Sequence, residues 1–208
     1  MRAGYMPAVG VAEFRDDMPE PQIEKADDVK IKIRNCGICG SEVHAIHGLH
    51  PVRIPPIVSG HEVAGDVVAV GEGVTKFKVG DRVTVEPHYG CGHCWYCDHG
   101  LYNVCPDKKV LGAGPWSGGL GEYIVTPEQT VVKLPDSLTY EEGALIEPVA
   151  NGMYAVRNSK IDEETNIVVI GCGPIGIGDF LCARLYDPRS ILMVDVAGIP
   201  YIEIAVAA

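Results

Sequence analysis

The segment "NIVVIGCGPIGIGDFLCARLYDPRSILMVD" (residues 166–195) decides how the second part of the chain folds. Its first five residues are an apolar run of the buried-strand type. Gly171, Gly173 and Gly176 follow at once in the order G-x-G-x-x-G. A helix-like stretch, "IGIGDFLCARLY", and a second apolar run, "SILMVD", complete the unit and end in Asp195. A lone glycine pattern is weak. Strand, glycine turn, helix, strand and terminal acid in succession point to a dinucleotide-binding α/β unit. The first glycine permits the tight turn, the second lets backbone approach a pyrophosphate, and the third lets helix and strand pack closely. The anion would rest on the helix N-terminus, where free N–H groups and the dipole favour it. Asp195 would bond the adenosine ribose hydroxyls and repel a 2′-phosphate, which favours NAD over NADP. The competing reading is that the glycines merely turn a strand into a helix.

Upstream, "CGHCWYCDHGLYNVC" (residues 91–105) holds four of the eight cysteines. Disulfides between neighbours this close are strained, whereas tetrahedral zinc accepts four thiolates from a tight turn. Cys91, Cys94, Cys97 and Cys105 are therefore expected to hold a structural zinc. A nucleic-acid-binding finger is disfavoured by charge. The 208 residues carry 17 basic against 28 acidic groups, a formal net charge of −11, and a nucleic-acid reader needs a basic face. No run of about 18 apolar residues is present to span a bilayer, and "MRAGYMPAVG" has no apolar core of a secretion signal. Cysteine usage without such a leader points to a reducing cytoplasm.

Two textures divide the chain. Residues 1–150 are rich in Gly, Pro and β-branched residues in short alternating runs. "VKIKIRN" puts Val29, Ile31 and Ile33 on one face and Lys30, Lys32 and Arg34 on the other, the pattern of a half-buried strand. "HEVAGDVVAVG", "DRVTVEP" and "GEYIVTP" read as further strands, and "SEVHAIHG" as a short helix. From about 139 a helix is expected, with Thr139 as N-cap and a break or kink at Pro148. Residues 151–208 would form the cofactor unit. With 47% hydrophobic residues, the chain can bury a substantial core.

A third group is scattered: Cys39, Ser41 and His44 in "NCGICGSEVH", His61 and Glu62 in "SGHEVAG", and Glu147 in "ALIEPVA". Each has a bland reading, as packing thiol, turn histidine or solvated acid. A thiolate, an imidazole and a carboxylate are also what an open catalytic zinc takes. Spacing does not show that they converge.

The runs "CGICGSEVH", "GHEVAGDVVAVGEGVTKFKVGDRV", "CGHCWYCDHGLYNVC", "GGLGEYIVTP", "EEGALIEP" and "GCGPIG" occur in one order along nearly the whole chain. In these the sequence resembles the zinc-dependent medium-chain dehydrogenases, especially the polyol (sorbitol or iditol) branch, with threonine dehydrogenase close by. The resemblance implies a mixed fold: a GroES-like β-rich catalytic domain, then an α/β Rossmann cofactor domain. It implies that Cys39 and His61 ligate a catalytic zinc, with Glu147 where alcohol dehydrogenases proper carry a cysteine and Glu62 as an alternate ligand. Ser41 would take the substrate proton and His44 would pass it to solvent. A small alcohol or polyol as substrate and a homo-oligomer are implied in the same way.

Two departures stand out. The family usually has Asp where Glu42 stands, a group that orients the ligating histidine, and one extra methylene would move that hydrogen bond. The family's cofactor domain has six parallel strands, whereas only two are legible here before "AGIPYIEIAVAA", which reads as the start of a further helix. The chain thus reads as a dehydrogenase cut inside an incomplete cofactor domain. The alternative is a zinc-binding structural or oligomerising relative without catalysis.

Overall fold

The structure is a computed structural model that describes residues 1–196. The chain divides into two compact units, Met1–Leu145 and Ile146–Ala208.

The first unit opens with a hairpin of β1 (Ala3–Ala8) and β2 (Val11–Arg15). Next come the long strand β3 (Asp28–Gly37), the short helix α1 (Gly40–Ile46) and β4 (Glu62–Val70). Strand β5 (Arg82–Val85) follows, then the ribbon strand β6 (His88–Tyr89), the one-turn helix α2 (Trp95–Asp98) and β7 (Lys109–Val110), which pairs with β6. Strands β8 (Tyr123–Pro127) and β9 (Val131–Lys133) complete an antiparallel five-stranded sheet of order β8-β3-β4-β5-β9.

The alternation expected of "VKIKIRN" is carried by β3. Val29 and Ile31 are fully buried with Val63, Val67, Val83 and Ile124 in one core cluster. Each such side chain contributes about 1.5–3 kcal/mol of burial. Lys30 departs from the pattern, because it too is buried. Its ammonium donates to Glu20 at 2.5 Å and lies 5.4 Å from the Tyr123 ring centroid, so charge and aliphatic stem are both accommodated away from water. Trp116 packs against the same core and donates from Nε1 to the Val125 carbonyl at 2.9 Å.

The β3–β4 ladder shifts register twice, between Lys30 and Ile31 and between Ile33 and Asn35. Such irregularities re-aim the ends of strands. Beyond the second, Cys36 pairs with Val63 and Gly37 with Glu62. The two shifts cancel, so the end of β3 and the start of β4 lie side by side in the register that Val29–Val70 begins.

Helix α3 (Tyr140–Ala144) is capped by Thr139, whose hydroxyl accepts from the Glu142 amide at 3.2 Å while Glu142 accepts from the Thr139 amide at 2.8 Å. The kink expected at Pro148 is displaced. The chain breaks at Leu145, and Pro148 sits in the first turn of the next helix, α4 (Ile146–Asn158), where a missing N–H costs little.

In the second unit α4 is followed by β10 (Asn166–Ile170), α5 (Pro174–Ala183) and β11 (Ser190–Val194). The two strands are parallel and in register from Asn166–Ser190 to Ile170–Val194. Val156, Cys182 and Ala183 form a small core over Ile167 and Ile191. Val168, Ile170 and Leu192 alternate with those positions and are exposed. Residues 197–208, expected to start a further helix, lie outside the described residues.

The two helices touch through glycine. A Cβ on Gly152 would lie 2.6 Å from the Gly178 carbonyl carbon, which is backbone and cannot step aside. Gly152→Val should therefore destabilise the second unit by roughly 1–3 kcal/mol, the usual cost of overpacking. Urea unfolding followed by hydrogen exchange in β10 and β11 would register this; unchanged protection there would mean that the helices are not held at this contact.

Candidate functional site

The cysteine lobe is assembled by local turns. Cys94 N-caps α2, Gly92 has a positive φ of 80°, and Cys105 ends a single turn of 3-10 helix. The four sulfurs lie within 4.8 Å of one another, with Cys94–Cys97, Cys94–Cys105 and Cys91–Cys97 separations of 3.6, 3.7 and 4.0 Å. A zinc–sulfur bond of about 2.3 Å gives a tetrahedron with edges of roughly 3.8 Å. The sulfurs therefore match a zinc cradle and are too far apart for disulfides. Backbone amides already point at them: Cys91 N–H donates to Cys105 Sγ and Gly92 N–H to Cys97 Sγ, each at 3.4 Å. The Cys91 amide helps pull the Cys105 thiol down to about 7. Gly90 is required for closure, since a Cβ there would meet Cys97 Sγ at 2.5 Å.

The scattered group converges in part. Cys39 precedes α1 by one residue and lies two beyond Gly37; His61 lies one before Glu62. The register that pairs Gly37 with Glu62 therefore brings Cys39 and His61 together, and their ligand atoms and a Glu42 oxygen lie within 4.8 Å of one another. Glu62 is buried, and a Cβ on Gly37 would meet its Oε2 at 2.0 Å, so the glycine makes room for the carboxylate. Glu147 stands in the first turn of α4, in the second unit.

Glu42 fills the space between Cys39 and His61. Its Oε1 accepts from His61 Nδ1 at 3.0 Å, Arg53 Nε at 3.1 Å, Ser59 Oγ at 2.9 Å and the Gly60 amide at 3.3 Å. Its Oε2 accepts from the Cys39 amide at 2.9 Å. Burial alone would raise this carboxyl, but His61, Ser59 and Arg53 overcome it and hold the group down at about 2. The one carboxylate thereby spans from the residue before α1 to the residue before β4. Arg53 lies outside the motifs and Ser59 opens "SGHEVAG", but nothing in the sequence marks either as a partner of Glu42. Cys36, three residues before Cys39, is different in kind: burial, then Glu42 and Glu62, push its thiol up to about 12.

Ser41 and His44 are three residues apart on α1, on one helix face. The Ser41 hydroxyl is buried with no hydrogen-bond partner among the described residues, while His44 is exposed.

The glycine turn fits a dinucleotide phosphate. Gly171 has φ of +106°, a conformation L side chains rarely adopt. A Cβ on Gly176 would lie 1.8 Å from the Gly171 carbonyl oxygen, whereas at Gly173, the N-cap of α5, nothing lies within 4 Å. The backbone at Gly173 is thus open to a ligand. Asp195 Oδ2 accepts from the Cys172 amide at 2.5 Å, and so braces the turn.

Residues 25–136 match the alcohol dehydrogenase GroES-like domain. The sorbitol dehydrogenase of Bacillus subtilis is 40% identical over 185 residues, covering 87% of this chain and 52% of that protein. The chain belongs to the zinc-dependent medium-chain alcohol dehydrogenase family. Among solved dehydrogenases, the galactitol-1-phosphate dehydrogenase of Escherichia coli superposes with a TM-score of 0.91 at 31% identity, over 100% of this chain and 59% of that one. A chain assigned as a zinc-binding dehydrogenase, from Sinorhizobium meliloti 1021 and bound to NADP, gives 0.89 at 31% identity, over 99% and 59%. The fold is thus GroES-like and β-rich, with a partial α/β cofactor unit. The chain spans about half the length of the curated family members it matches.

Elemental analysis of protein purified without chelator should find zinc, and Cys94→Ser should remove one equivalent from the lobe. An unchanged zinc content in that variant would sink the four-thiolate assignment.

Proposed function

We propose that the protein is an NAD-dependent zinc dehydrogenase that oxidises a secondary alcohol of polyol type. The observation that carries this reading is the Glu42-centred meeting of Cys39 and His61 one residue away from the unpartnered Ser41 hydroxyl. Cys39 and His61 would hold the zinc, with Glu62 beside them and Glu147 keeping the carboxylate role that the family resemblance gives it. Bound zinc would supply Lewis acidity toward an alcohol and NAD would accept hydride.

The chain's own residues do the rest. Because Glu42 is ionised and accepts only, His61 carries its proton on Nδ1 and keeps the Nε2 lone pair for a metal. The buried Ser41 hydroxyl would accept a substrate proton, and the exposed His44 imidazole, on the same face, would deliver it to water; the unpartnered hydroxyl supports this reading. The open backbone at Gly173 would take the pyrophosphate, and Asp195, which braces the turn, would bond the ribose. A carboxylate-bearing metal site is harder than one of thiolates alone, which suits a hydroxyl-rich substrate. No helix among the described residues is long and apolar enough to cross a membrane. A cytoplasmic homo-oligomer belongs to the same proposal.

The protein as its gene encodes it should be assayed with NAD against a panel of polyols, threonine and simple alcohols. Polyols should turn over fastest, and Ser41→Ala should lower kcat about 10²–10⁴-fold, the range of general acid–base catalysis. No turnover on any member, with zinc present in both sites, would replace the enzyme by a zinc-binding structural relative.

Cofactor choice gives a separate prediction. NAD should be preferred over NADP, and Asp195→Ala should narrow the preference while loosening the turn at Cys172. Equal use of both cofactors by the unaltered protein would refute the role given to Asp195.

A further inference from the structure

The catalytic cluster contains one strong charge that the reading above does not use. Arg53 lies in the loop between α1 and β4, with its side chain 4% exposed, against a Glu42 side chain that is 3% exposed. We infer that Arg53 is a positioning residue for the metal site, whose guanidinium holds the Glu42 carboxylate in the orientation that grips the Cys39 backbone and the His61 ring together. This rests on the proposal that Cys39 and His61 hold zinc.

The argument begins with the loop. His50 Nδ1 accepts from the Val52 amide at 3.2 Å and the Arg53 amide at 2.9 Å, and the Ile54 amide donates to the Val52 carbonyl at 3.1 Å. Those bonds tie down the backbone that carries Arg53. From there Arg53 Nε reaches Glu42 Oε1 at 3.1 Å, across 11 positions of sequence. The same oxygen takes the His61 ring at 3.0 Å. The second oxygen is left for the Cys39 amide at 2.9 Å.

A glutamate has one more rotatable bond than an aspartate. Its gain in reach would ordinarily be offset by looser orientation. A planar guanidinium donor removes that freedom, because its N–H direction is fixed. It also supplies the positive charge that a carboxylate needs when taken out of water. Ser59 and Gly60 add neutral donors but no compensating charge. If Arg53 is lost, the carboxylate is left with weaker reasons to stay between the two ligands. It can swing away, which releases the His61 ring. The effect on a metal would be indirect, through the histidine's tautomer and aim.

The test is Arg53→Met in the 208-residue chain, with Arg53→Lys as the conservative variant. Two readouts separate positioning from mere stability. The first is the His61 imidazole nitrogen spectrum of the metal-free protein. Unaltered protein should show a single tautomer with the proton on Nδ1, and Arg53→Met should show an averaged ring. The second is zinc affinity by chelator competition, with the Cys91–Cys105 lobe as internal control. Affinity outside the lobe should fall about 10–100-fold, as when other outer-shell partners are removed, while lobe affinity stays unchanged. Arg53→Lys should restore part of both. If Arg53→Met does not fold, the double variant Glu42→Gln/Arg53→Met removes both buried charges, and it should fold yet still show an averaged His61 ring. A fixed tautomer in Arg53→Met, or in the double variant where only that folds, would overturn the inference, as would zinc affinity within twofold of the unaltered chain. Should the unaltered chain bind zinc only in the lobe, the metal-site reading fails, and the His61 tautomer alone still decides whether Arg53 positions the ring.

Discussion

The candidate metal site depends on one buried carboxylate. Glu42 accepts from a backbone amide at the start of its own helix, from a histidine ring, from a guanidinium, from a hydroxyl and from a second backbone amide. These donors come from α1, from the loop before β4 and from the turn into it. A carboxylate withdrawn from water is costly unless such partners replace its hydration. The demand works in both directions: the donors keep Glu42 ionised, and the ionised group keeps three chain segments in place. The thiol of Cys36, close by but facing two carboxylates, is driven the other way and stays protonated.

What the sequence made legible follows from how far apart the cooperating residues lie. Cys91 to Cys105 are joined by turns of a few residues, so spacing alone implied a cradle, and the sulfurs do lie at the edges of one. The glycine fingerprint was equally local, and φ of +106° at Gly171 with the tight approach of Gly176 fulfils it. The meeting of Cys39 with His61 was not readable from spacing. It depends on the antiparallel pairing of Gly37 with Glu62 across the β3–β4 ladder, a long-range contact that spacing along the chain does not encode. Only resemblance to a family supplied that pairing in advance. Arg53 and Ser59 were invisible for a related reason: a buried polar partner is chosen by three-dimensional proximity, and its residue type is common in any loop.

Local rules also failed where tertiary contacts overrode them. Alternation assigned Lys30 to a solvated face, yet an acid from the loop before β3 and an aromatic ring on β8 make a place for its ammonium. Proline at 148 was read as a breaker, but a first-turn position removes the reason to break, and the chain parts at Leu145 instead. Both errors came from applying a sound local preference without knowing where the neighbouring element begins.

Asp195 follows the logic of Glu42 on a smaller scale. Its side chain closes the end of β11 onto the glycine turn after β10, through the Cys172 amide, and the Gly171 amide bonds the Val194 carbonyl at 2.7 Å from the same side. The parallel register of the two strands sets those groups opposite each other. An acid at that position is held in place by backbone N–H groups, without a competing side chain. Both oxygens of Asp195 accept main-chain amides, Oδ2 from Cys172 and Oδ1 from Val196 at 2.6 Å, whereas in Glu42 Oε2 takes the Cys39 amide and Oε1 is shared between the Gly60 amide and side chains that include the imidazole. Shortening either side chain would remove a contact with the site and a support of the fold at once. Substitution by an amide of the same length, which keeps one acceptor oxygen, would distinguish the two contributions.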